Sequence, residues 1–113
     1  MRITYANKRV EKYFSDYRQM QKVLPADWVR TIKKHIDRFK AAECFGDFLK
    51  VGLGHPEPLK GQDAGKWSVH ISGNVRLIFM PNASGDAVMI CEEVEMEGVV
   101  DYHGSSSDSW YIP

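Results

Sequence analysis

Trp67-Ser-Val-His-Ile-Ser-Gly-Asn-Val-Arg-Leu-Ile-Phe79 reads as strand, turn, strand, and that reading makes the chain a sheet protein. The run is rich in β-branched and aromatic residues, and Arg76 stands between Val75 and Leu77 in an alternating pattern. Ser72-Gly-Asn74 supplies the turn or bulge between the two strands, because glycine and asparagine enter the left-handed backbone region at little cost. Downstream, Pro81-Asn-Ala-Ser-Gly-Asp86 is the clearest turn in the chain. A further strand is expected from Ala87 to Glu93, and Gly98 marks a bend or bulge before Val99-Val-Asp-Tyr102 continues the ladder.

Upstream, Met1-Arg-Ile-Thr-Tyr5 alternates as an edge strand would, and Asn7 is placed to cap a helix running to about Asp16. Val10, Tyr13, Phe14 and Tyr17 form its buried stripe. A second helix starts near Pro25 or Ala26 and runs to about Ala42, with Trp28, Ile32, His35, Ile36 and Phe39 at helical spacing. His35 on that apolar side reads as a packing histidine. The two helices are expected to form an antiparallel hairpin on one face of the sheet. A short turn from Asp47 to Leu53 leads into Gly52-Leu-Gly-His-Pro-Glu-Pro58, a loop of the composition that carries sites. The last ten residues begin as a polar serine linker and end in Trp110-Tyr-Ile112, so 104–113 is expected to be a partly flexible tail beyond a domain spanning 1–103.

With 113 residues, 43% of them apolar, the chain holds one domain and one core. No charged leader followed by an apolar run and no membrane-length stretch is present, so a cytoplasmic protein with no membrane partner is expected. Cys44 and Cys91 are far apart and match no metal-ligand spacing, which points to free thiols. Formal net charge is zero but unevenly spread: residues 1–40 hold 11 Lys and Arg against 4 Asp and Glu, and residues 41–113 hold 4 against 11. Such a split is the mark of an interaction surface as well as of two solvated faces. The absence of a glycine-rich phosphate loop and of clustered metal ligands argues against nucleotide hydrolysis and a dedicated metal nuclease, so no cofactor and no metal are expected.

Between Gly54 and His103 the anchors Glu57-Pro-Leu-Lys-Gly61, Lys66-Trp-Ser-Val-His-Ile-Ser-Gly-Asn74, Val75-Arg-Leu-Ile-Phe79 and Asp101-Tyr-His103 follow one another in order. This arrangement resembles the HigB (plasmid maintenance killer) branch of the RelE/ParE toxin superfamily, whose pattern reads HPLKG, G-WS, NWR-I-F, DYH. The resemblance implies an α+β fold: a RelE-like compact domain with an N-terminal helical hairpin on a mostly antiparallel twisted sheet of about four to five strands. It also implies cleavage of messenger RNA on the translating ribosome and silencing by a HigA-like helix-turn-helix antitoxin, with DNA reached only through that antitoxin.

Lys60, Asn74, Arg76, Asp101, Tyr102 and His103 stand on matching motif positions. The pattern's first histidine is replaced by Glu57, with His55 two residues earlier across Pro56, so the two candidates for the base are Glu57 and His55. Arg76 suits two phosphate oxygens at once, where a bare strand position would make it a sheet-capping arginine. What the resemblance implies is that Lys60 would bind phosphate or steady its charge, that Asn74 would orient Tyr102 or touch RNA where Gly73-Asn74 alone reads as a turn, and that His103 would donate or accept a proton. Regular alternation would place Asp101 and His103 on the face opposite Tyr102. His70 and Trp67 read as structural. The acidic run Glu92-Glu-Val-Glu-Met-Glu97 would repel RNA if it faced the cleft. The rival readings are a non-catalytic, ParE-like gyrase inhibitor and an inactive toxin that only binds its antitoxin.

Overall fold

The computed structural model describes the backbone of residues 1–103 and 106–113; the side chains of His103 and of residues 106–109 lie outside the described part. The hairpin at its centre joins β3 (Trp67–Ser72) to β4 (Val75–Pro81). Val69, Ile71, Val75 and Leu77 must all face the core, yet the two-residue turn pairs Ser72 with Val75, which in a regular ladder would set every odd residue opposite an even one. A bulge between His70 and Ser72 removes the conflict: Val69 then pairs with Leu77 and His70 with Arg76.

The sheet order is β1 (Arg2–Tyr5), β5 (Glu93–His103), β4, β3, β2 (Glu57–Pro58), with β6 (Ser106–Ile112) also pairing β5. Because β4 occupies one edge of the long β5, β1 and β6 share the other: β1 lies parallel to Glu93–Met96 and β6 antiparallel to Val99–His103. Among the described residues the sheet therefore has six strands, where about four to five were expected, and is mostly antiparallel, as expected, with β1–β5 the parallel pair.

Both main helices lie on one face. Asn7 caps α1 (Lys8–Phe14) by accepting from the Val10 N–H at 2.9 Å. After the single turn of α2 (Tyr17–Met20), α3 (Ala26–Ala41) buries Val29, Ile32, His35, Ile36 and Phe39 against the sheet. Phe39 stacks on Phe48 at 4.1 Å and meets Phe79 edge-on at 4.8 Å, and Phe45 meets Trp67 at 5.0 Å. These rings fill the centre of the core, with favourable offset and edge contacts.

Two expectations fail here for one shared reason. Residues 47–53, expected as a turn, belong mostly to α4 (Phe45–Val51), closed by left-handed Gly52. Residues 87–92, expected as a strand, fold into turns. The N-terminus of α4 has no side-chain cap, and the carbonyls of Cys91 and Met89 accept its Phe45 and Gly46 N–H groups at 2.8 Å each. A segment bent to satisfy a helix end cannot extend along a sheet.

Ser106–Ile112, expected within a partly flexible tail, pairs with β5, and Ile112 is fully buried. Gly104 and Ser105, at the start of that tail, lie outside the described residues. The bend at Gly98 is present: the β4–β5 register shifts so that Ile78 pairs with Gly98 and Phe79 with Met96. Gly98 has φ 150°, and a Cβ there would lie 1.9 Å from the Ile112 carbonyl oxygen. Only glycine lets β6 come this close.

Candidate functional site

Strand alternation leaves the second face of the sheet uncovered by helices. Leu59, Ile78, Val100 and Tyr102 form a small apolar cluster there, separate from the main core. Leu59 is buried in it, which anchors the loop from Glu57 to Asp63 across this face. At one end of the cluster the register brings polar side chains together. His70 lies cross-strand from Arg76, Arg76 from Val100, and Glu57 from Ser68, two residues before His70 on the same side. The His55 ring is 5.3 Å from the His70 ring.

Each member is fixed locally. Arg76 Nη1 donates to the Gly73 carbonyl at 2.6 Å and to that of Val75 at 3.2 Å, which folds the guanidinium over the hairpin turn. His55 has φ 51°, an uncommon conformation for a residue with a side chain, between left-handed Gly54 and Pro56. The Tyr102 N–H donates to the Asn74 carbonyl at 2.8 Å, so Asn74 holds Tyr102 through its backbone. Glu57 and Lys60 are exposed at the loop edge.

Burial holds the His70 imidazole below its ordinary value, and the Arg76 guanidinium and the His55 ring push the same way against the pull of the Glu57 carboxylate. His70 is therefore neutral at pH 7, with a ring nitrogen able to take a proton. Tyr102 is raised by burial and then by the nearby Asp63 and Glu57 carboxylates, so it remains a phenol.

Of the residues read from the sequence, Glu57, His55, Arg76 and Tyr102 come together, with Lys60 beside them on the anchored loop. Asp101 does not join them: it pairs with Val75, a core-facing position, while Tyr102 belongs to the open face. His103 pairs with Ser106 through its backbone, and its side chain lies outside the described part. His70 is the member that sequence reasoning missed. Counting back across a regular turn would set Arg76 opposite Ile71, and only the bulge delivers His70.

The other end of the same face is acidic. Lys66 Nζ lies 3.2 Å from Glu97 Oε1. Glu97 Oε2 is buried with no hydrogen-bond partner among the described residues, while the Glu95 and Glu97 carboxyls share a side-chain hydrogen bond. Sharing that hydrogen bond, with burial and the Glu97 charge adding to it, pushes Glu95 up to about 7. The acidic run thus does face this side, partly neutralised by a lysine and a shared proton. Among the described residues, no group of three or more His, Cys, Asp or Glu is placed to hold a metal ion, and no helix is long and apolar enough to cross a membrane.

No protein-family model matches the chain. It is 37% identical over 81 residues to a protein of Streptomyces coelicolor called toxin YoeB, a match covering 72% of this chain and 83% of that protein. A solved structure described as a YoeB/ParE toxin from Agrobacterium tumefaciens superposes with a TM-score of 0.54 at 26% identity, covering 88% of this chain and 95% of the other.

Proposed function

The chain belongs to the RelE/ParE superfamily of toxins, and on that premise we propose that this toxin is a ribosome-dependent endoribonuclease that cleaves messenger RNA. The observation that carries the proposal is the cluster on the open face: a neutral imidazole, His70, set between the Arg76 cation and the His55–Glu57 loop edge. Phosphodiester cleavage needs a proton acceptor, a proton donor and a cation within reach of one phosphate.

In this mechanism the ribose 2′-oxygen gives its proton to Glu57 or His55, with neutral His70 adjoining as a further acceptor, and attacks the neighbouring phosphorus. The bond to the 5′-oxygen breaks, and His103 protonates that oxygen; the reverse assignment of base and acid is the alternative. Products end in a 2′,3′-cyclic phosphate and a 5′-hydroxyl. Arg76 and Lys60 steady the charge that builds on the phosphoryl oxygens, and the Tyr102 phenol donates a hydrogen bond. No step calls for a metal. The Lys- and Arg-rich helices meet ribosomal RNA or an acidic segment of the antitoxin.

The similar proteins bear the names YoeB and ParE, so the HigB affiliation, and with it a HigA-like antitoxin, rests on the motif spacing alone. Because ParE stands in the name of the solved relative, a non-catalytic toxin that occupies gyrase is the alternative. Programmed ribosomes incubated with the purified protein separate the two. Messenger cut in the A site with 5′-hydroxyl ends, lost in His103→Ala, supports the ribonuclease; uncut messenger together with inhibited gyrase supersedes it.

A further inference from the structure

His35 is a buried histidine in α3, on the helix side of the sheet, yet both of its ring nitrogens have hydrogen-bond partners, one of them on the site strand β3. Nε2 lies 2.8 Å from the carbonyl oxygen of His70, and Nδ1 lies 3.0 Å from Arg38 Nη1. A guanidinium can only donate, so Nδ1 is the acceptor and Nε2 carries the proton that goes to His70. The His70 carbonyl, which can only accept, and Arg38 thereby hold the ring in the same neutral tautomer.

The same ring seats the loop that bears His55. A Cβ on Gly54 would fall 2.5 Å from His35 Cε1, so the glycine backbone rests directly on the imidazole. The Gly54 carbonyl in turn accepts the His70 N–H at 2.8 Å. His35, His70 and Gly54 close a three-membered circuit, and the next residue along the loop is the strained His55.

We propose that His35, held in one tautomer by the His70 carbonyl and Arg38, is a positioning residue that fixes the β3 backbone and the Gly54–His55 loop to each other and so sets the distance between the His55 and His70 rings. Any buried histidine needs its ring nitrogens satisfied, but here Nε2 is bonded to the backbone of a site strand and the glycine before His55 is seated on the ring. Leucine fills a similar volume but bonds neither group, whereas the glutamine amide can reach the His70 carbonyl as Nε2 does.

The kinetic arm of the test rests on the ribonuclease reading; the spectroscopic arm does not. NMR titration of the His55 and His70 rings, in wild type, His35→Leu, His35→Gln and Arg38→Leu, reads the geometry directly. In His35→Leu the His70 midpoint moves up toward that of a free histidine and both ring shifts change, while His35→Gln stays near wild type. On programmed ribosomes, His35→Leu lowers the maximal rate about tenfold or more, since small displacements of reacting groups are costly. Its half-saturating concentration changes less than about twofold, and His35→Gln recovers most of the rate.

A folded His35→Leu protein with wild-type ring titrations overturns the proposal. Should that variant not fold, Arg38→Leu takes its place, because it keeps the ring and removes the Nδ1 partner that helps to hold it; unchanged His55 and His70 titrations in it would be equally fatal. If wild type cleaves nothing, the ribonuclease reading fails while the ring titrations still decide the positioning role.

Discussion

The two faces of the sheet are made by the same strands and do opposite work. The helix side is dry and redundant, with Phe39, Phe45, Phe48, Phe79 and Trp67 in mutual contact. The open side has four residues in its apolar cluster, flanked by imidazoles and a cation at one end and by paired carboxylates at the other. Stability is concentrated on the first face and titratable chemistry on the second. A substitution on each should therefore move a different observable.

The largest stability effect belongs to the helix side. Phe39→Ala removes a ring that touches both Phe48 and Phe79, and urea denaturation should show a loss of about 3–5 kcal/mol. A loss below about 1 kcal/mol would mean that the core is not centred there. On the open side, His70→Phe retains a ring of similar size; the cleavage rate should fall about thirtyfold, equivalent to about 2 kcal/mol, with little change in unfolding. A large destabilisation with undiminished rate would reverse the assignment of the two faces.

Gly98→Ala probes the seam between β5 and β6. The added methyl meets the Ile112 carbonyl, so we expect about 1–3 kcal/mol of destabilisation and faster amide exchange along residues 106–112. Unchanged exchange would show that β6 does not depend on that close approach. Glu95 gives the smallest effect. Its folded value of about 7 lies above the ordinary 4.5, so the folded state holds the extra proton and stability is lost as pH rises from the ordinary value through 7. Glu95→Gln should then stabilise by about 1 kcal/mol at pH 8 and by almost nothing near pH 5. Equal effects at both pH values would show that no shared proton exists.

The same comparison explains what the sequence disclosed. Helix-side residues obey simple periods: 3.6 for Val29, Ile32, Ile36 and Phe39, and two for Val75, Leu77 and Phe79, so α3 and the central hairpin were readable. The Asn7 cap was readable from one residue. The motif anchors pointed to Glu57, Arg76 and Tyr102, which share one face, but not to His70, because a bulge sets its cross-strand partner and periodicity is silent about where bulges fall. Nor could periodicity show that Val88-Met-Ile-Cys91, apolar enough for a strand, would bend to serve the uncapped end of α4. The polar serine run concealed β6, whose docking rests on buried Ile112 and on the close approach of its carbonyl to Gly98.

The most direct test of an open face built for RNA cleavage is the single-turnover rate of messenger cleavage on programmed ribosomes by wild type and by Arg76→Ala, each shown to be folded by its thermal midpoint. The account predicts A-site cleavage by wild type and a rate about a hundredfold lower, equivalent to about 2.7 kcal/mol of transition-state stabilisation, for the variant. Equal rates for the two folded proteins would contradict it.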